Sequence, residues 1–222
     1  MISSRLFYIV VSIAVVIFSS VVHEVSHGLA ALKCGDPTAK NAGRLTLNPA
    51  AHLDLFGSII LPFLMAYMGG PVFAYAKPVP YNPYNLRNRS RDEFLVAMAG
   101  PASNIVQAVI GAIVFNLLFN TWSGTYDTIY WVLQVLYTYV YINCILAFFN
   151  LIPLPPLDGS KVVSLFVKGH ALDRYYELQR YSMLILLALL YVGPMVLGVD
   201  FLGVYLDATA GNMTNVLLGF GA

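Results

Sequence analysis

From Leu6 to Val22 the chain carries no charged side chain, and the apolar run continues to Leu32. As a helix this stretch rises about 40 Å at 1.5 Å per residue, enough to cross the ~30 Å hydrocarbon core of a bilayer. Within it stand His23-Glu24-Val25-Ser26-His27. Three ionisable groups in five residues are costly in lipid, where every polar group needs an internal partner. A fold that keeps this segment must surround that end of it with protein. A functional role for His23, Glu24 and His27 is the default reading.

Composition extends the constraint to the whole chain. Of 222 residues 59% are hydrophobic and 10% charged, against about a quarter charged in a soluble domain. The chain is therefore read as an integral membrane protein. A net charge of +1 argues against a nucleic-acid partner. The two cysteines, Cys34 and Cys144, make no disulfide framework and no Cys-x-x-Cys pair. The first apolar run is read as a retained span rather than a signal peptide, because it passes through the histidines without a small-residue cleavage site.

Four segments are long enough to span: Leu6–Leu32, Phe94–Phe119, Ile129–Phe149 and Tyr181–Val199. A fifth, Leu53–Tyr75, carries Pro62 and is broken by Gly69-Gly70-Pro71. Positive charge chooses between a full crossing and a re-entrant path. With a crossing, Lys33, Lys40 and Arg44 face nine other cations across the membrane. With a return, eleven cations share one side and Arg5 stands alone. The re-entrant path is preferred. It sets both termini outside and the histidines on the order of 7–14 Å below the cytoplasmic surface. The tail from Asp200 to Ala222, interrupted by Gly211 and Asn212, is expected on the outer interface. The expectation is an all-α polytopic membrane protein with about 4–5 transmembrane helices. To these it adds a re-entrant segment with a short extended element and a span unwound at a Pro-rich loop. Residues 1–222 are read as one domain, with a core over 5–170 and a C-terminal span and tail over 171–222.

On a helix His23 and His27, at i and i+4, project from one face and can grip one Zn²⁺. Glu24 then lies within reach of water held by the metal, as a general base. A third donor is offered by Asn150–Gly159, NLIPLPPLDG. Pro153, Pro155 and Pro156 cannot continue a helix, so the backbone must unwind. Asp158 at that break completes a His₂Asp set with an open fourth position, the pattern of a catalytic zinc. It is equally placed to cap the helix that follows. Asn150 can donate an amide hydrogen to an oxyanion or satisfy its own helix end.

HEVSH in the first span, AGPASN (Ala99–Asn104) in the next, and the Pro-rich run ending in Asp158-Gly159 together resemble the site-2 protease family of intramembrane zinc metallopeptidases. Gly43–Gly57 and Ala76–Pro83 further resemble its compact bacterial and archaeal subgroup, which lacks PDZ and CBS domains. The match covers most of residues 19–165. The resemblance implies cleavage of a single-span membrane protein within the bilayer. It also implies zinc on His23, His27 and Asp158, Glu24 as the base, and Asn150 against the substrate or the oxyanion. One zinc per chain in a prokaryotic cell membrane is the corresponding expectation, with the oligomeric state open.

Other polar positions have plainer readings. Gly100-Pro101 and Asn104 suit close helix packing and a buried hydrogen bond near the site. His52 and Asp54 suit an interfacial polar pair, and His170 an ordinary loop position. Gly69–Pro80 is extended by composition and could offer a strand edge to an unwound substrate. The alternative to a protease is a metal transporter, or a scaffold, that uses the same His/Glu/Asp cluster. A transporter calls for ionisable residues on other spans or for repeated halves, whereas Phe94–Phe119 and Ile129–Phe149 carry no ionised residue and no His. A scaffold would typically lose Glu24, which is present.

Overall fold

The computed structural model describes residues 2–54, 57, 60, 64, 67, 76–125, 128–167 and 169–220. The helices are α1 (Ile2–Lys33), α2 (Thr38–Asn41), α3 (Arg89–Phe119), α4 (Thr128–Asn150), α5 (Gly159–Phe166) and α6 (His170–Gln179). After them come α7 (Ser182–Leu187), which runs on as π-helical turns over Ala188–Leu197, then α8 (Phe201–Leu206), a π segment Asp207–Gly211, and α9 (Asn212–Leu218). Among the described residues there is no β-strand.

Leu6–Lys33, Arg89–Phe119 and Thr128–Asn150 are each long and apolar enough to cross a membrane. A pair, Leu184–Leu197 with Phe201–Leu218, qualifies only together and bends by 112°. The first three expected spans are thus α1, α3 and α4. The fourth, Tyr181–Val199, is only the first half of the bent pair. Gly198, at φ 65, closes that half in the left-handed region that glycine enters freely. Asp200 opens the next half by accepting the Gly203 N–H at 2.8 Å.

The tail departs from expectation. Gly211 and Asn212 do not break it: helix runs unbroken from Phe201 to Leu218, with Ala210, Thr214 and Leu218 buried. Widened turns free backbone carbonyls, and side chains take them up. Thr209 donates to Tyr205 O at 2.7 Å, Asn212 to Ala208 O at 3.0 Å and Thr214 to Ala210 O at 2.8 Å. Asn116 on α3 reaches Leu217 O, and Tyr205 reaches Phe148 O on α4. The tail is therefore part of the bundle.

In lipid, apolar side chains gain nothing by turning inward, so helices associate through small residues and hydrogen bonds. The three long helices follow this rule. Leu6, Ile9, Ile13, Ile110 and Leu117 are exposed, while Ser19, His23, Asn104, Gln107 and Asn143 are buried. On α3 the buried face holds Gly100, Ala108, Gly111 and Ala112. A Cβ on Gly111 would sit 2.8 Å from the Tyr139 ring, so the glycine admits that tyrosine, whose hydroxyl then donates to Gln107.

Beyond α1, loops 34–54 and 76–88 meet at one end of the bundle. Arg87 N–H donates to Cys34 O at 3.1 Å, Lys77 N–H to His52 O at 2.8 Å, and Arg44 to Lys77 O at 2.8 Å. Asp36 anchors them, accepting from Asn82 N–H at 2.6 Å and the Asn85 amide at 2.8 Å. Burial alone would raise its pKa. Hydrogen bonds from Thr38, Asn85 and Asn82 outweigh that and hold it below the ordinary carboxylate value. The expected re-entrant segment Leu53–Tyr75 lies mostly outside the described residues, although its two flanking loops sit together.

Candidate metal centre

α1 brings His23 Nε2 and His27 Nε2 to 3.0 Å of each other. Asp158 Oδ2 lies 3.1 Å from the first and 3.2 Å from the second. A tetrahedral zinc with bonds of about 2.0–2.2 Å sets its donors about 3.3 Å apart, close to this triangle. The second ring nitrogens are committed elsewhere. His27 Nδ1 is 2.6 Å from Val96 O, and a carbonyl can only accept, so Nδ1 carries the proton and Nε2 presents its lone pair. His23 Nδ1 meets Asn104 Oδ1 at 2.6 Å with the same consequence. Three lone-pair donors converge at buried or nearly buried positions, the chemistry that a divalent cation satisfies.

α3 packs closely against the two imidazoles at Gly100. A Cβ added to Gly100 would overlap His27 Nε2 and lie 2.5 Å from His23 Nε2. The absent side chain lets α3 lie directly against both imidazoles. The residues present therefore fit zinc.

Asp158 reaches the centre because α4 stops at Asn150 and helix resumes only at Gly159. Its side chain stands at the N-cap position of α5 yet makes no capping bond; the carboxylate faces the histidines instead. Gly159 permits this path. A Cβ there would overlap Leu151 O and approach Ile152 O to 2.6 Å, so only glycine lets the loop close on its own start.

Glu24 lies beside the cluster, and its Oε2 accepts the Val79 N–H at 2.8 Å. Pro78 and Pro80 flank Val79 and carry no N–H. The strap bearing Val79 rests on α1 one turn beyond Glu24, where a Cβ on Gly28 would lie 2.9 Å from Val79 Cγ1. This bears on the expected strand edge over Gly69–Pro80, of which residues 69–75 lie outside the described residues. Over Lys77–Pro80 both available N–H groups are used, Lys77 by His52 O and Val79 by Glu24.

Asn150, the last residue of α4, donates its amide to Leu146 O at 2.9 Å, inside its own helix. His52 is buried and bonded to Thr46 O at 2.8 Å, while Asp54 accepts from Gly57 N–H. His170 opens α6 and is exposed. Sequence reasoning missed Asn143 and Ser19, buried with Asn104 in one hydrogen-bonded chain that ends on His23. A lone Asn in an uncharged span was the available signal.

A membrane-embedded bundle with two histidines and an aspartate converging beside a glutamate has the donor set of a zinc hydrolase. The model of peptidase family M50 matches residues 126–192, which include Asn150 and Asp158. Two relatives carry the name "Putative zinc metalloprotease". YwhC of Bacillus subtilis is 34% identical over 198 residues, covering 85% of this chain and 81% of that protein. Rip2 of Mycolicibacterium smegmatis is 29% identical over 146 residues, covering 64% and 52%. No solved structure matches the chain significantly. The chain belongs to peptidase family M50, the site-2 proteases, and is a zinc metalloprotease of the membrane. The transporter and scaffold readings give way to it.

Proposed function

We propose that the chain is an intramembrane endopeptidase that cuts single-span membrane proteins within the bilayer, as in regulated intramembrane proteolysis. One zinc per chain is held by His23, His27 and Asp158. The observation that carries this reading is the convergence of two imidazole nitrogens and a carboxylate oxygen within 3.0–3.2 Å of one another. Bound zinc supplies a Lewis acid for the scissile carbonyl and acidifies water at neutral pH. Glu24 does the proton work: it takes a proton from the attacking water and returns one to the leaving amine. The Val79 N–H holds Oε2 and so aims the carboxylate. Asn150 has a second amide hydrogen beyond the one given to Leu146 O, and this donates to the substrate or to the developing oxyanion. The test is reconstitution of the purified chain with single-span substrates. Fragments mapped by mass spectrometry should end inside the apolar segment, with cutting lost to a chelator and restored by zinc. Fragments ending only in water-exposed segments would contradict the proposal.

The same reading sets the metal end towards the cytoplasm and both termini outside, by the excess of Lys and Arg in the loops that gather there. Asn41, the last residue of α2, and Ser90, in the first turn of α3, are exposed. Asn41→Cys and Ser90→Cys, in a chain lacking Cys34 and Cys144, should both react with an impermeant thiol reagent only after permeabilisation. Labelling of either in sealed cells would reverse the orientation.

A further inference from the structure

Behind His23 runs a dry chain of hydrogen bonds across three helices. Asn143 on α4 donates Nδ2 to Tyr139 O at 2.9 Å and to Ser19 Oγ at 2.9 Å. Its Oδ1 accepts from Asn104 Nδ2 at 2.9 Å, and Asn104 Oδ1 meets His23 Nδ1 at 2.6 Å. Ser19, Asn104 and Asn143 are all 0% exposed, so water cannot substitute for a missing partner.

The order of donors and acceptors in this chain is forced from its far end. The Tyr139 carbonyl can only accept, so the Asn143 amide must turn its NH₂ towards it. That leaves the Asn143 oxygen facing Asn104, which must answer with its own NH₂. The Asn104 oxygen then faces His23, so Nδ1 must carry the proton. In a neutral imidazole the lone pair is thereby assigned to Nε2, the atom directed at Asp158 and His27. An amide alone offers His23 an acceptor or a donor depending on which way it is turned. Asn143 removes that choice.

We propose that Asn143 is a positioning residue of the metal centre: it fixes the orientation of Asn104 and, through it, the tautomer in which His23 can ligate. This rests on the reading of His23 as a zinc ligand. Without Asn143 the Asn104 amide can rotate, and in half of its orientations it presents a donor to His23 Nδ1 and disables Nε2. A carboxylate at position 104 accepts from His23 in every orientation and offers nothing to the Asn143 oxygen that faces it, so in Asn104→Asp the Asn143 side chain can no longer help His23.

Zinc affinity of the purified full chain, measured by chelator competition, tests this together with the ring-nitrogen spectra of ¹⁵N-histidine in the metal-free protein. Asn143→Ala and Asn143→Leu, which keeps the branched heavy-atom skeleton without the polar atoms, should each weaken zinc binding about 10–100-fold, the range for lost outer-shell partners. Both should also mix the His23 tautomers. In the Asn104→Asp background the same changes should not weaken zinc binding, whereas a pure packing role would cost the same in either background. Unchanged affinity in both Asn143 variants, or an equal loss in both backgrounds, would overturn the proposal while zinc bound to the unaltered chain keeps the metal reading intact. An unaltered chain that binds no zinc would instead remove the metal reading itself.

Discussion

Glu24→Gln should leave zinc content at the wild-type level and lower peptide cleavage by about 10²–10⁴-fold, the contribution of a positioned general base. Glutamine keeps the length of the side chain and a carbonyl that still accepts the Val79 N–H, so the local packing on α1 is preserved. What it loses is the ability to hold a proton between the attacking water and the leaving amine. Zinc measured by elemental analysis, and fragments counted by mass spectrometry on the same preparation, separate the two effects. Proteolysis that survives would take Glu24 out of the mechanism. Zinc lost along with activity would give Glu24 a structural role instead.

Gly100→Ala should have the opposite signature. Alanine is the better helix former by about 1 kcal/mol, so nothing in the backbone of α3 opposes it. Its methyl, however, would collide with His27 Nε2 and with the Cε1–Nε2 edge of His23 and push both rings out of the ligating arrangement. Zinc should fall from one per chain to near none, with cleavage at background and the helical content unchanged by circular dichroism. Gly111→Ala on the same helix is the contrast. There the added methyl meets the Tyr139 ring, so stability should drop while zinc remains. Full zinc content in Gly100→Ala would mean that the metal lies elsewhere.

The contrast between these glycines marks what could be read from the sequence. α1, α3 and α4 were legible because long apolar runs with almost no charge have few places to go except across a bilayer. The pairing of His23 with His27 was legible from helical geometry alone, and the break at Asp158 from three prolines that cannot sit in a helix. Whether Asp158 would cap α5 or face the histidines was not, since both roles suit an Asp before a short helix. The path of residues 151–157, closed at Gly159, decides it. Gly100 could be recognised as a packing residue but not as the one that seats α3 against the two imidazoles, because its partners are over 70 residues away on α1. Gly211 and Asn212 misled for a physical reason. They break helices in water, but inside a bundle neighbouring Thr and Asn side chains take up the freed carbonyls.

X-ray absorption at the zinc edge of the purified wild-type chain tests the central claim most directly. The account predicts one zinc per chain, coordinated only by nitrogen and oxygen at about 2.0–2.2 Å, with two imidazoles in the shell. It also predicts that the signal disappears when His23 or Asp158 is replaced by alanine. A sulfur neighbour at about 2.3 Å, or a spectrum indifferent to those replacements, would contradict it.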